Sequence, residues 1–229
     1  MEPTKKYTVI TGASSGIGRE TAKAFAGRGK NLIVAARRTE NLEALKREIL
    51  EQHPTLDIVI RTVDLSVLEN VYQFYSSLKD FQLETWVNNA GFGNYDSVAQ
   101  QDLEKINTML RLNVEALTIL SSLFVRDYKD ASGTQLINLS SCGGYTIVPT
   151  AVTYCATKFY VSTFTEGLAW ELIETGAKMR AKLSRLEVML PHCVGHSEPI
   201  VSRVLPGPVE RSCIPPHQLS PPLVFCSTH

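Results

Sequence analysis

Tyr7-Thr8-Val9-Ile10-Thr11-Gly12-Ala13-Ser14-Ser15-Gly16-Ile17-Gly18 is the stretch whose reading decides the fold. Tyr7 to Ile10 is a short apolar run of strand type, and Gly16 to Arg28 carries a helical pattern. The glycines therefore lie where a strand turns into a helix. In a parallel sheet that turn faces the ligand crevice, and the free amides of the helix N-terminus attract a pyrophosphate. Glycine supplies the positive φ and the close backbone approach that such a site requires. The spacing is GxxxGxG rather than GxGxxG. The competing reading is a tight turn with no ligand.

Outward from this turn, strand-like and helical segments alternate. Leu32 to Ala36, Leu56 to Val63, Glu84 to Asn88 and Gln135 to Leu139 read as strands. Glu40 to Gln52, Gln100 to Tyr128 in two pieces and about Thr153 to Glu174 read as helices. Ser66-Val67-Leu68-Glu69 has the form of a capping box that opens a further helix. Ala177 to Leu183 could begin a sixth strand. Such alternation predicts an α/β fold, a doubly wound parallel sheet with helices on both faces. The 229 residues, 44% hydrophobic, suit one sizeable core.

The composition changes after Lys182. Eight of the eleven prolines and four of the five histidines lie from Pro191 onward, and Lys and Asp are absent there. We expect residues 1–182 to form the nucleotide-binding and catalytic domain and residues 183–229 an irregular or disordered tail. An out-of-frame reading or an alternative end would produce such a break.

Lys plus Arg equals Asp plus Glu at 23 each, which speaks against nucleic acid or an anionic membrane as partner and favours a small substrate. Residues 1 to 6 include Glu2 and Pro3 and run straight into a strand, so no signal peptide is expected. No apolar stretch is expected to reach membrane-spanning length. The five cysteines are odd in number and lack CxxC spacing. A reducing, cytoplasmic compartment and no metal are the expectation.

At the end of the second strand, where a carboxylate would bind a ribose diol, the chain reads Ala35-Ala36-Arg37-Arg38. Guanidinium groups suit a 2′-phosphate, which favours NADP(H); solvated surface charge is the alternative. Asp64 could bond an adenine amine or cap the loop before Ser66. Tyr154 follows Ser141 thirteen residues later, and Lys158 lies one helical turn beyond it. An ammonium on the same helix face can lower a phenol pKa from about 10 towards the working pH, which makes a proton donor for carbonyl or alcohol chemistry. Tyr75 and Lys79 share that spacing without its context, and Tyr75 is expected at a solvated position or a core edge. Ser141 is favoured over Ser140 because strand alternation sends them in opposite directions. Cys142 and Cys155 are expected to be small packing groups.

Together, Thr11 to Gly18, Asn88-Asn89-Ala90-Gly91, Asn113, Ser141, Tyr154 and Lys158 resemble the short-chain dehydrogenase/reductase family, over roughly residues 5 to 180. The likeness is to NADPH-preferring bacterial members. It implies a Rossmann fold and an NADP(H)-dependent oxidoreductase interconverting a carbonyl and an alcohol. Tyr154 would donate the proton, Lys158 would lower its pKa and bind the nicotinamide ribose, and Ser141 would hold the carbonyl oxygen. Asn113 would hold a water linking Lys158 to solvent; a helix-interior Asn bonded to nearby backbone is the alternative. Gly12, Ser14, Ser15, Gly16, Ile17, Gly18, Asn89, Ala90 and Gly91 would line the cofactor, with Arg37, Arg38 and Asp64 at its adenosine end. Tyr145, Ile147 and Val148 would touch substrate. The resemblance also implies a homodimer or homotetramer through the Asn113 and Tyr154 helices. Family members continue with a substrate-covering segment and a seventh strand, a pattern the tail does not follow. A nucleotide-binding chain without turnover is therefore the alternative function.

Overall fold

Neighbouring residues on the inner strands enter opposite cores, as the pleat requires: Val9 and Ile10, Ile33 and Val34, Trp86 and Val87, Leu136 and Ile137. Strands apolar on both faces belong in a parallel sheet covered by helices on each side. The computed structural model describes residues 5–184, and they form that arrangement. Strands β1 (Lys6–Thr11), β2 (Asn31–Ala36), β3 (Ile58–Thr62), β4 (Gln82–Asn88), β5 (Gln135–Leu139) and β6 (Arg180–Ser184) make a parallel sheet in the order β3-β2-β1-β4-β5-β6. Helices α1 (Gly16–Ala26) and α2 (Thr39–Gln52) cover one face with Phe25, Leu42 and Leu45. Helices α3 (Leu68–Ser76), α5 (Leu117–Tyr128) and α6 (Val152–Glu174) cover the other with Phe74, Phe124 and Leu172.

Chain order reverses at β1, whose neighbours are β2 and β4. A crevice therefore opens beyond the carboxyl ends of β1 and β4, the place where doubly wound sheets take their ligands. The loops after β1, β4 and β5 carry the glycine turn, Asn89 to Gly91 and Ser141 to that crevice.

A buried polar chain fastens the far half of the sheet. Trp86 Nε1 donates to Asn88 Oδ1 at 2.8 Å, Asn88 Nδ2 donates to Asn138 Oδ1 at 2.9 Å, and Asn138 Nδ2 donates to Thr165 Oγ1 at 3.0 Å. Every member has partners, as burial of such groups demands. This set of bonds crosses β4 and β5, whose following loops carry Asn89 and Ser141, and α6, which carries Tyr154.

Three expectations change. The helix after β3 begins at Leu68, and no Ser66 capping bond forms: Asp64 Oδ1 accepts both Ser66 N, at 3.0 Å, and Ser66 Oγ, at 2.7 Å. Tyr75 is buried rather than at an edge, donating to Leu123 O and to Asp127 Oδ2 at 2.8 Å. The run Leu103–Tyr128, 26 residues, is long and apolar enough to cross a membrane by length and composition. Apolar residues surround Arg111 and Glu115 within it, and its inner face, including Ala116, Leu120 and Phe124, packs in the core. The expected tail, apart from the end of β6, lies outside the described residues.

Candidate active site

The glycine turn leaves donors without partners. Ser15 makes no side-chain bond to the helix it precedes, and the first turn of α1 holds no acidic group. Its leading amides are thus free, as in any uncapped helix start, and aimed at the crevice. Gly12 has φ +69° and Gly16 φ +54°, and a methyl on Gly16 would point into open space. That vacancy, next to free amides, suits a phosphate. Thr11 Oγ1 accepts from the Asn89 and Ala90 amides, both at 3.1 Å, so β1 and β4 present one continuous rim. Asn89 lines the crevice, but its Nδ2 donates to Thr11 O at 2.8 Å and Gly12 O at 3.2 Å. It shapes the turn instead of offering its amide to a ligand.

At one end of the crevice Arg38 Nη2 donates to Ser15 Oγ at 2.7 Å and Ser14 Oγ at 3.2 Å. Asn41 Nδ2, which the sequence did not single out, donates to Ser14 O at 3.3 Å. Arg37 lies 3.9 Å from Asp64 Oδ2, an exposed pair worth little to stability. Asp64 therefore has two partners already, Ser66 and Arg37, and burial opposes the pull of both on its pKa, which ends below the usual value. A cleft of about 150 Å³ lies among these groups. It shares Gly12, Ser15, Ala90, Gly91 and Phe92 with a second cleft of about 270 Å³, which reaches Tyr154 and Lys158. The two form a trough from paired guanidiniums, past free amides, to a phenol. A larger hollow adjoins the guanidinium end, sharing Arg37, Val63 and Asp64 with the first cleft and reaching Arg61, and another lies beside β6, away from these groups.

At the other end stands α6. Lys158 is buried, and its Nζ donates to the Leu139 carbonyl at 3.0 Å. Burial brings its pKa down to about 8. Tyr154 is half-buried; burial raises its pKa, and the Ser141 hydroxyl pulls it part of the way back. In the free protein the opposing pull on Tyr154 thus comes from Ser141, whereas the sequence pointed to Lys158. Lys158 Nζ is 5.9 Å from the Tyr154 ring centroid. Ser140 is turned away, donating to Lys158 O at 3.0 Å and meeting Ser162 Oγ at 2.9 Å, as strand alternation required.

Asn113 sits in a π-helical turn, Arg111–Ala116, between α4 (Leu103–Leu110) and α5. Such widened turns recur at functional sites. Its partners are remote in sequence: Oδ1 accepts from Phe92 N at 3.1 Å, and Nδ2 donates to Phe92 O at 2.9 Å and Thr157 Oγ1 at 3.1 Å. A methyl on Gly91 would lie 2.9 Å from Asn113 Oδ1 and 3.7 Å from Lys158 Nζ, so both atoms face one small space. Only glycine leaves that space open.

A family model of short chain dehydrogenases matches residues 6–182, more than half of the chain. The chain belongs to the short-chain dehydrogenase/reductase family. Dehydrogenase/reductase SDR family member 11 of Gallus gallus is 30% identical over 184 residues, covering 78% of this chain and 72% of that protein. The solved short-chain dehydrogenase of Sphingobium yanoikuyae in complex with NADPH is 28% identical, with a TM-score of 0.73 over 79% of this chain and 70% of that one. The bulky-bulky ketone specific alcohol dehydrogenase of Comamonas testosteroni is 26% identical, with a TM-score of 0.77 over 86% and 79%. The protein is thus an oxidoreductase with a Rossmann-type sheet.

Within this dehydrogenase/reductase, two thiols border the phenol. Cys155 is buried and packs, but Cys142 is exposed, with Sγ 3.8 Å from Ser141 Oγ. Tyr145, on the loop before α6, donates to Glu166 Oε1 at 2.9 Å, three helical turns beyond Tyr154. Tyr95, unremarked in the sequence, has its ring centroid 6.1 Å from that of Tyr154.

Proposed function

We propose that this oxidoreductase uses NADP(H) to interconvert a carbonyl compound and its alcohol, with Tyr154 exchanging the proton. The observation that carries the reading is the trough that runs from Arg38, Ser14 and Ser15 to Tyr154 and Lys158. The free amides of α1 would hold the pyrophosphate, and Arg37 and Arg38 the 2′-phosphate, since no carboxylate stands at the end of β2. Lys158 would bind the nicotinamide ribose. That the Sphingobium yanoikuyae relative is in complex with NADPH supports this choice of cofactor.

When bound, the nicotinamide supplies the hydride in reduction and accepts it in oxidation. Ser141 would hold the carbonyl oxygen by a hydrogen bond that strengthens as negative charge gathers there. Tyr154 would give its proton to that oxygen, so that one hydride and one proton convert the carbonyl to an alcohol. Asn113 Oδ1 and Lys158 Nζ, facing the same space at Gly91, would return a proton to Tyr154 through water. We also infer pairing of two copies through the helices that carry Asn113 and Tyr154: α4 exposes Leu103 and Leu110, and α6 exposes Phe159 and Trp170.

The test is consumption of NADPH over a panel of ketones and aldehydes, with Tyr154→Phe alongside. The variant should bind NADPH and turn nothing over. Equal turnover by wild type and variant would defeat the assignment.

A further inference from the structure

The carbonyl partner can be narrowed from what surrounds the Tyr154 hydroxyl, granted the reading that Tyr154 and Ser141 hold its oxygen. Two loops border that point: residues 91–97 after β4 and residues 142–151 before α6. Neither contains Lys, Arg or His, and Asp96 is their sole ionised side chain. Lys158, the nearest cation along the helix, is buried, with its ammonium on the Leu139 carbonyl. Among the described residues, then, a carboxylate or phosphate on the substrate would find no counter-charge on these loops, and it would meet Asp96.

The loops instead offer apolar surface. Tyr95 is 67% exposed although its ring stands beside that of Tyr154, with planes at 45°. Gly93 makes this possible: a methyl there would lie 3.2 Å from Tyr95 Cε2 and 3.4 Å from Tyr154 Cδ2. Ile147, 75% exposed, and Val148 lie on the loop that leads into α6. A large aromatic face left open to solvent beside a proton donor is a platform for another ring, since offset or tilted rings attract beyond the area they bury.

We infer that the substrate is an uncharged ketone or secondary alcohol bearing an apolar ring, and that Tyr95 selects it by packing against that ring. The reaction is the one already described, with the hydride from NADPH and the proton from Tyr154. Only the group beside the carbonyl is specified.

The test compares α-tetralone, 2-butanone and pyruvate as NADPH-consuming substrates of the full chain, for wild type, Tyr95→Ala and Tyr95→Phe. Wild type should favour α-tetralone at least about tenfold over each of the others in kcat/KM. Tyr95→Ala should lower the tetralone-to-butanone ratio about tenfold, and Tyr95→Phe should keep it. Pyruvate turned over as well as α-tetralone, or an unchanged ratio in Tyr95→Ala, overturns the inference while the reductase reading stands. If no ketone consumes NADPH, the reductase reading falls. Saturation-transfer NMR of α-tetralone on the NADPH-loaded proteins then decides the inference: ring-proton signal lost in Tyr95→Ala upholds it, and equal signal overturns it.

Discussion

The Lys158 ammonium is bonded to the carbonyl oxygen of Leu139 at 3.0 Å, inside the domain. One carbonyl does not replace the water that a free ammonium keeps, so burial brings the pKa down to about 8 from 10.5. Below pH 8 folded and unfolded chains both carry the proton, and the desolvation penalty stands in full. Between about pH 8 and 10.5 the unfolded chain holds more protons than the folded one, so stability rises with pH, by up to about 3 kcal/mol for this group. Lys158→Met should remove that rise. Urea midpoints of both proteins at pH 7.5 and pH 10 check it, read as the difference between them so that tyrosines titrating nearby cancel. A difference that does not change with pH would show that Lys158 is not desolvated.

Ser141 has two effects on the phenol. It would hold the carbonyl oxygen, and its hydroxyl offsets part of the rise that burial imposes on the Tyr154 pKa. Ser141→Ala should therefore lower kcat by about 100-fold or more, the scale of losing one donor at a developing oxyanion. It should also raise the Tyr154 pKa further. In the direction of alcohol oxidation, which needs the phenolate, the rate should reach its plateau at higher pH than in wild type. A pH profile of kcat for both proteins tests this; a fall in rate with no displacement of the profile would separate Ser141 from the ionisation of Tyr154.

Arg38 is the guanidinium hydrogen-bonded to the glycine turn, through Ser15 and Ser14, whereas Arg37 pairs with Asp64. Arg38→Gln keeps a donor but loses the charge and the forked geometry. The KM for NADPH should rise about tenfold or more while that for NADH changes little, as expected for a charged contact to one phosphate. Steady-state measurement with each coenzyme decides it, and an equal rise for both would place Arg38 in the support of the glycine turn.

The strands, most helices and the glycine turn were legible because each rests on local signals: alternation, apolar period and turn residues at fixed offsets. The Ser66 capping box misled because Asp64, two residues earlier, competes for the same hydroxyl and amide. The burial of Tyr75 was not legible, because its bond to Asp127 joins residues 52 apart and leaves no local trace. Ser141, Tyr154 and Lys158 could be read from spacing, whereas the Leu139 carbonyl that receives Lys158 could not. Asn113 stands out in the sequence, but its partners Phe92 and Thr157 come from other elements, and the widened turn that aims it has no sequence signal. Tyr95 went unnoticed because its meaning depends on Gly93 folding it back over Tyr154.

Thr165 shows how far from the chemistry the site is held. It lies three turns beyond Tyr154 on α6, buried, accepting from Asn138 Nδ2 at 3.0 Å while donating to Val161 O at 2.7 Å. Asn138 passes the constraint to Asn88 on β4, and Ser140 and Ser162 make a second tie one helical turn nearer to Lys158. Helix α6 is thereby registered against β5, which ends just before Ser141. Thr165→Val fills the same volume but leaves the Asn138 amide one acceptor short, at a cost of about 1–3 kcal/mol. Thr165→Ser restores the acceptor and should recover most of the loss. If the tie also sets the register of α6, Thr165→Val should lower kcat under conditions where it is fully folded, with the KM for NADPH unchanged. Denaturation midpoints with kinetics at low temperature test both parts: a stability loss with kcat intact would confine Thr165 to the core, and no loss at all would deny the buried bond its importance.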